Sequence, residues 1–119
     1  METKMNKLEI GERYSGNITI LDLTGRLTIG EESIALRNAI RRLLGEEKKK
    51  ILLNVGQVSY IDSSGIGELV SGFTALTREG GALKLLNLTQ KIQDLLAITK
   101  LLTVFDVYDN ESEALSSFS

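Results

Sequence analysis

Along the chain, short runs dense in Leu, Ile and Val alternate with longer stretches in which apolar residues recur at helical spacing. Lys7–Arg13 and Asn17–Thr24 flank the turn Tyr14-Ser-Gly-Asn and predict an antiparallel hairpin. In the second run Ile18 and Ile20 point one way while Thr19, Leu21 and Leu23 point the other, so the sheet is expected to carry apolar residues on both faces. Leu36, Ile40 and Leu43 fall at i, i+4 and i+7 behind a Thr28/Glu31 capping box, which predicts a helix that Gly45 ends. Lys50–Val55 is a continuous apolar run of the kind found in a strand covered on both faces. Ile66, Leu69, Val70, Phe73 and Leu76 predict a helix over 64–78, stopped by Gly80-Gly81. Beyond it, Ala82–Asn87 reads as a strand, Thr89 caps a helix carrying Ile92, Leu95 and Leu96, Val104–Tyr108 reads as a last strand, and Glu111–Phe118 as a closing helix.

This alternation after the hairpin implies an α/β fold: a mixed, mostly parallel sheet of about five strands covered by about four helices. The expected layout is a disordered tail at 1–6 and one domain at 7–119, a length that buries one core without disulfides or metal. Ligands and partners of such sheets gather outside the carboxyl ends of the strands, so the loop from Gly56 to Ser64 is the place to look for function.

Composition narrows the chemistry. The chain contains no Cys, His, Pro or Trp, which excludes disulfides, thiolate zinc sites, Ser-His-Asp triads and Cys-His dyads. Its first ten residues are charged where a signal peptide is apolar, and nowhere do ~20 apolar residues run together, so a cytoplasmic protein without membrane contact is expected. Residues 37–50 sum to +4 and the remainder to −6, but no aromatics interleave with the basic run. A solvated helix face accounts for it better than nucleic-acid binding.

Tyr60-Ile61-Asp62-Ser63-Ser64-Gly65-Ile66-Gly67 places an acid, two hydroxyls and two glycines between the central strand and the longest helix. The plain reading is a helix cap, for which one of the three polar residues would suffice. A dinucleotide fingerprint would need glycine where Val70 stands, and a P-loop has no match. A serine nucleophile would need a base, and no lysine pairs with Ser63 or Ser64 in sequence. Asp62, Glu68 and the group Asp106, Asp109 and Glu111 lack metal-ligand spacing, so neither metal nor cofactor is expected. A reading that uses every feature is a kinase substrate: an exposed hydroxyl at a helix start, beside glycines (Gly65 and Gly67) that leave room for another protein's active site.

Here the sequence resembles the anti-sigma factor antagonists, single-domain members of the STAS group (sulphate transporter and anti-sigma factor antagonist domains), from about Leu8 to Leu115. Asp62-Ser-Ser-Gly-Ile-Gly67 is similar to the family's phosphorylation motif. Leu23-Thr-Gly-Arg-Leu27, Ile51-Leu-Leu-Asn54, Gly80-Gly81 and Val104-Phe-Asp-Val-Tyr108 support the match. The resemblance implies a bacterial, non-enzymatic switch, monomeric when free. Its unphosphorylated form would bind an anti-sigma factor that is also a serine kinase, releasing a sigma factor for transcription. Phosphorylation of Ser63 with ATP and magnesium would end that binding, and a serine phosphatase would restore it. Asp62 would shape the loop, and Ser64, Gly65, Ile66 and Gly67 would complete the partner-binding surface. Two alternatives stay open: a STAS module serving another partner-switching or transporter complex, and an enzyme with a serine nucleophile. One departure is Thr99-Lys100-Leu101, where many relatives have Thr-Gly-Leu; Lys100 implies a different helix end or modest strain there.

Overall fold

Leu8–Ser15 (β1) turns through Gly16, at φ +58°, into Ile18–Leu27 (β2), and the two pair antiparallel from Leu8↔Gly25 to Ser15↔Ile18. The computed structural model describes residues 8–119; the tail and Lys7 of the expected first strand lie outside them. Three crossovers follow: Glu31–Gly45 (α1) leads to Lys50–Ile61 (β3), Ser63–Arg78 (α2) to Ala82–Leu86 (β4), and Gln90–Ile98 (α3) to Val107–Tyr108 (β5). The sheet runs β1-β2-β3-β4-β5, with every pair after the first parallel. Because each connection steps to the next strand in the same direction, right-handed crossovers put all three helices on one face.

That face holds the main core. Leu36, Ile40 and Leu43 of α1, Ile66, Leu69 and Leu76 of α2, and Ile92 and Leu96 of α3 close over Leu21, Leu23, Ile51, Leu53, Leu83 and Leu85. The opposite face buries Ile18, Ile20, Leu52 and Leu86 under Ala114 and Phe118, which belong to and follow the short helix Glu111–Ser116 (α4). The alternation of β2 was therefore a true two-sided pattern. Lys84 holds α4 in place through its Nζ, which donates to the Ser117 carbonyl and Oγ, both at 2.9 Å. At the other end of α4, Glu111 pairs with Arg13, whose guanidinium also clasps Asp22 and holds its carboxyl below the usual aspartate range.

Two local expectations fail for identifiable reasons. The Thr28/Glu31 capping box does not form, because Gly30, at φ 106° and ψ −140°, is the residue that turns the chain into α1. The Thr28 carbonyl instead accepts from the Ser33 amide at 3.1 Å. The last strand shrinks to two residues, since Val104 bonds back to the Leu101 carbonyl and Phe105 turns into the helix-side core, edge-on to Phe73 at 5.3 Å. As expected, α1 ends at Gly45, and the left-handed turn that reverses the chain comes two positions later, at Glu47.

Three helices close in the same way. Lys48, Gly81 and Leu101 donate to the carbonyls of Leu43, Leu76 and Leu96, and the residues before them, Glu47, Gly80 and Lys100, sit at φ 62°, 80° and 63°. Only one of the three is a glycine, although left-handed backbone costs a residue with a Cβ about 1–2 kcal/mol. Lys100 thus adopts a left-handed turn that favours glycine, at some strain. Lys100→Gly and Glu47→Gly are each expected to raise stability by about 0.5–1 kcal/mol, after the entropy cost of glycine in the unfolded chain. Urea midpoints that stay level or fall would refute the strain.

Candidate functional site

The site is built where β3 outruns its neighbour. β4 accompanies β3 only from Lys50 to Asn54; beyond that point β3 continues to Ile61, paired with β2 alone through two register shifts. This overhang carries Arg26↔Tyr60 and Leu27↔Ile61 past the rest of the sheet. Ile61 is buried, Asp62 leaves the strand in an extended conformation, and α2 begins at Ser63.

Asp62 is the hinge of the arrangement. Its Oδ1 accepts from the Gly65 amide at 3.0 Å, capping α2, and its Oδ2 accepts from the Ile29 amide at 3.0 Å, fastening the β2–α1 loop alongside. Burial pushes this carboxyl up, but the amides of Ile29, Gly65 and Ser64 outweigh it and hold the group below the ordinary aspartate range. Both oxygens face backbone donors, so the carboxylate is not directed at Ser63 as a base.

The sign of the linkage follows. A depressed folded-state value means the stabilisation is complete above the unfolded value near about 3.9 and is lost as pH falls through the folded one. Asp62→Ala is expected to lower stability at neutral pH by about 1–2 kcal/mol, the worth of a helix cap. In urea titrations the gap to the wild type should narrow steadily as the pH drops below that of ordinary aspartate; a gap independent of pH would refute this role.

The motif residues separate by exposure. Ser63, the first residue of α2, is exposed, and its hydroxyl makes no hydrogen bond to another described residue; Ser64 is half-buried. Gly67 is exposed, and a Cβ built there meets nothing within 4 Å. Gly65 and Ile66 are buried, Ile66 within the helix-side core. A Cβ on Gly65 would lie 2.3 Å from the Leu27 carbonyl oxygen and 2.7 Å from Ile61 Cγ1. Against the expectation that Gly65 serves access more than folding, its bare Cα lets the helix start against the end of β2. Glu68, one residue on, is 7% exposed and paired at 2.5 Å with Arg37 of α1, locking the two helices together. Among the described residues no group of three Asp, Glu, His or Cys could hold a metal ion.

Ile29 joins this surface without having been foreseen. It is 74% exposed and is tied by its amide to Asp62. The only signal in sequence was an isoleucine among polar turn residues after Leu27, in a stretch read as a helix cap.

With the geometry in place, comparison with known proteins gives the family. A sequence profile of the STAS domain matches residues 12–114. The chain belongs to the STAS domain family. Among curated relatives, the anti-sigma F factor antagonist of Paenibacillus polymyxa is 22% identical over 109 residues, 92% of this chain and 93% of its own. The anti-sigma-B factor antagonist of Bacillus subtilis is 36% identical over 64 residues, 54% of this chain and 59% of its own. In structure, the Bacillus cell-fate determinant SpoIIAA in its phosphorylated form superimposes with a TM-score of 0.74 at 19% identity, covering 94% of this STAS domain chain and 99% of that one. Among the described residues of this STAS protein, no helix is long and apolar enough to cross a membrane.

Proposed function

We propose that this protein is an anti-sigma factor antagonist that works as a phosphorylation-controlled binding switch and not as an enzyme. In its unphosphorylated form it binds an anti-sigma factor that is also a serine kinase, and a sigma factor is released for transcription. Phosphorylation of Ser63 by that partner, with ATP and magnesium, ends the binding, and a separate serine phosphatase reverses it. The switch acts in the cytoplasm and does not itself contact DNA.

The observation that carries this reading is the presentation of Ser63. Its hydroxyl stands free at the start of α2, with the Asp62 carboxylate turned away to backbone amides and Gly67 leaving open space one turn along. A kinase active site needs such clearance. Ile29 supplies an apolar neighbour for the same partner, since an isoleucine left in water forgoes about 1.5–3 kcal/mol of burial that docking would recover. The names of the relatives point the same way.

The test is direct. A cognate kinase with Mg-ATP is expected to label the protein once, on Ser63, and Ser63→Ala is expected to take no phosphate. Peptide mass spectrometry placing the phosphate on Ser64 or outside the loop would overturn the assignment.

A further inference from the structure

We infer that the groove between α1 and α2 is a binding site for a small carboxylate with an apolar body, of the kind represented by a medium-chain fatty acid. The two helices follow neighbouring parallel strands and descend side by side, so the groove opens on the outer surface of the helix layer, more than a turn below Ser63. It holds a cavity of about 210 Å³, with Arg37, Ile40, Arg41 and Leu44 on one wall and Glu68, Ser71 and Ala75 on the other. The hollow has a cause in the sequence. Gly72 is buried against α1, where a Cβ would stand 2.8 Å from Ile40 Cδ1, so the helices approach closely there. Beside that contact α2 offers only the short side chains of Ser71 and Ala75, and Leu44 and Ala75 are left half-buried.

The charges lining this cavity do not balance. Glu68 supplies its one carboxylate, and Arg37 engages that group fully, donating to Oε2 from Nε at 3.2 Å and from Nη2 at 2.5 Å. Arg41, one turn further along the same face of α1, lines the same cavity and forms no ion pair among the described residues. Residues four apart on a helix are neighbours, with Cβ atoms about 5–6 Å apart. Two guanidiniums therefore border a space that contains a single negative charge. The acids at the end of α1 are engaged elsewhere, Glu46 by Arg42 and Lys48, and Glu47 by Lys49. A carboxylate entering beside Arg41 would restore neutrality and meet a planar fork of donors.

Charge alone does not choose the ligand. An inorganic anion would leave Ile40, Leu44 and Ala75 still facing the hollow, whereas an apolar body laid between Leu44 and Ala75 takes that surface out of water. The size of the cavity sets the other limit. Sites for drug-sized ligands run to roughly 300–1,000 Å³. A space of about 210 Å³ admits a body of a few carbons and excludes a nucleotide. The class selected is therefore a short acyl or aromatic acid, and the inference does not rest on phosphorylation of Ser63.

The experiment is an NMR titration of the whole protein with sodium octanoate, at constant pH and ionic strength, with sodium acetate and 1-octanol supplying the charge alone and the body alone. Saturable shifts are expected at Arg41, Leu44, Ser71 and Gly72, with octanoate at least about fivefold tighter than either control. Arg41→Gln should weaken octanoate by at least about fivefold, one charge-assisted contact removed. Ala75→Leu, which fills the hollow with a good helix former, should abolish saturable binding. Arg41 is exposed and outside every described ion pair, so its variant retains the fold even if Ala75→Leu does not, and melting curves check both. Octanol bound as tightly as octanoate would overturn the proposal by removing the anion from it, and acetate bound as tightly would do so by removing the apolar body. Shifts that never saturate, that centre outside the α1–α2 groove, or that persist unchanged in both variants would also overturn it.

Discussion

Gly65→Ala is expected to cost this protein about 3 kcal/mol or more, while Gly67→Ala, two residues away in the same helix, is expected to stabilise it by about 0.5–1 kcal/mol. At Gly65 the added methyl would stand 2.3 Å from the Leu27 carbonyl oxygen, which is backbone and cannot swing aside. The Ile61 and Leu27 side chains close the other directions at 2.7 and 3.0 Å. Relief requires α2 to move off the end of β2, and that would break the Asp62 cap and the Ile29 tie together. At Gly67 the methyl meets nothing, and alanine removes the entropy that a glycine spends in a helix. The two substitutions should separate folding from docking: the Gly67 variant keeps or gains stability while the side chain beside Ser63 hinders the partner. Chemical denaturation of both, with partner titration of the Gly67 variant, checks this. A Gly65→Ala protein as stable as the wild type would show that the helix start is looser than its geometry states.

Phosphorylation of Ser63 is expected to weaken partner binding by roughly a hundredfold while leaving the fold nearly unchanged, a loss of ~3 kcal/mol in affinity. The phosphate adds about −1.5 to −2 charge. Within the domain, the positive end of α2 favours that charge by about 0.3–1 kcal/mol, up to ~2 where partly buried, which offsets repulsion from Asp62. Because the Ser63 side chain is exposed, no core contact is disturbed. Across an interface shaped for a neutral hydroxyl the same group must shed water, at a cost of several kcal/mol. The interface effect is larger. Ser63→Asp, with less charge and volume, should weaken binding less than phosphate does, and Ser63→Ala should bind persistently. Melting curves and titration calorimetry on the three forms decide between outcomes. Unchanged affinity of the phosphorylated protein would end the switch reading, and weak binding caused by unfolding would end this account of it.

How much of this was legible in the sequence depended on whether a segment's surroundings repeat along its length. α2 was readable almost to the residue, since Leu69, Leu76 and their neighbours keep one face on the core and Asp62 supplies a cap of the usual kind. The β3 overhang was not. Gly56, Gln57 and Ser59 suggested a loop, yet they belong to a strand that is hydrogen-bonded on one side only, where Val58 and Ile61 are buried while Gln57, Ser59 and Tyr60 face outward. Continuous apolar patterning marks strands flanked on both sides, and this stretch is not one of them. At the candidate site, the motif proposes Asp62, Ser63 and Gly67 alike, but the difference between Gly65 and Gly67 is a matter of a neighbouring strand end that no local pattern encodes. Ile29 reaches the site only through tertiary structure, by the hydrogen bond from its amide to Asp62.

The second face of the sheet depends for its cover on α4 and Phe118, which follow every strand in the chain. During synthesis, Ile18, Ile20, Leu52 and Leu86 are therefore in place before anything can shield them, and at about 5–20 residues per second the strip stays bare for several seconds. A nascent domain in that state offers a flat apolar surface to chaperones or to other nascent chains. Ribosome-stalled chains ending before Glu111 should accordingly recruit trigger-type chaperones and aggregate on release, whereas chains carried past Phe118 should not.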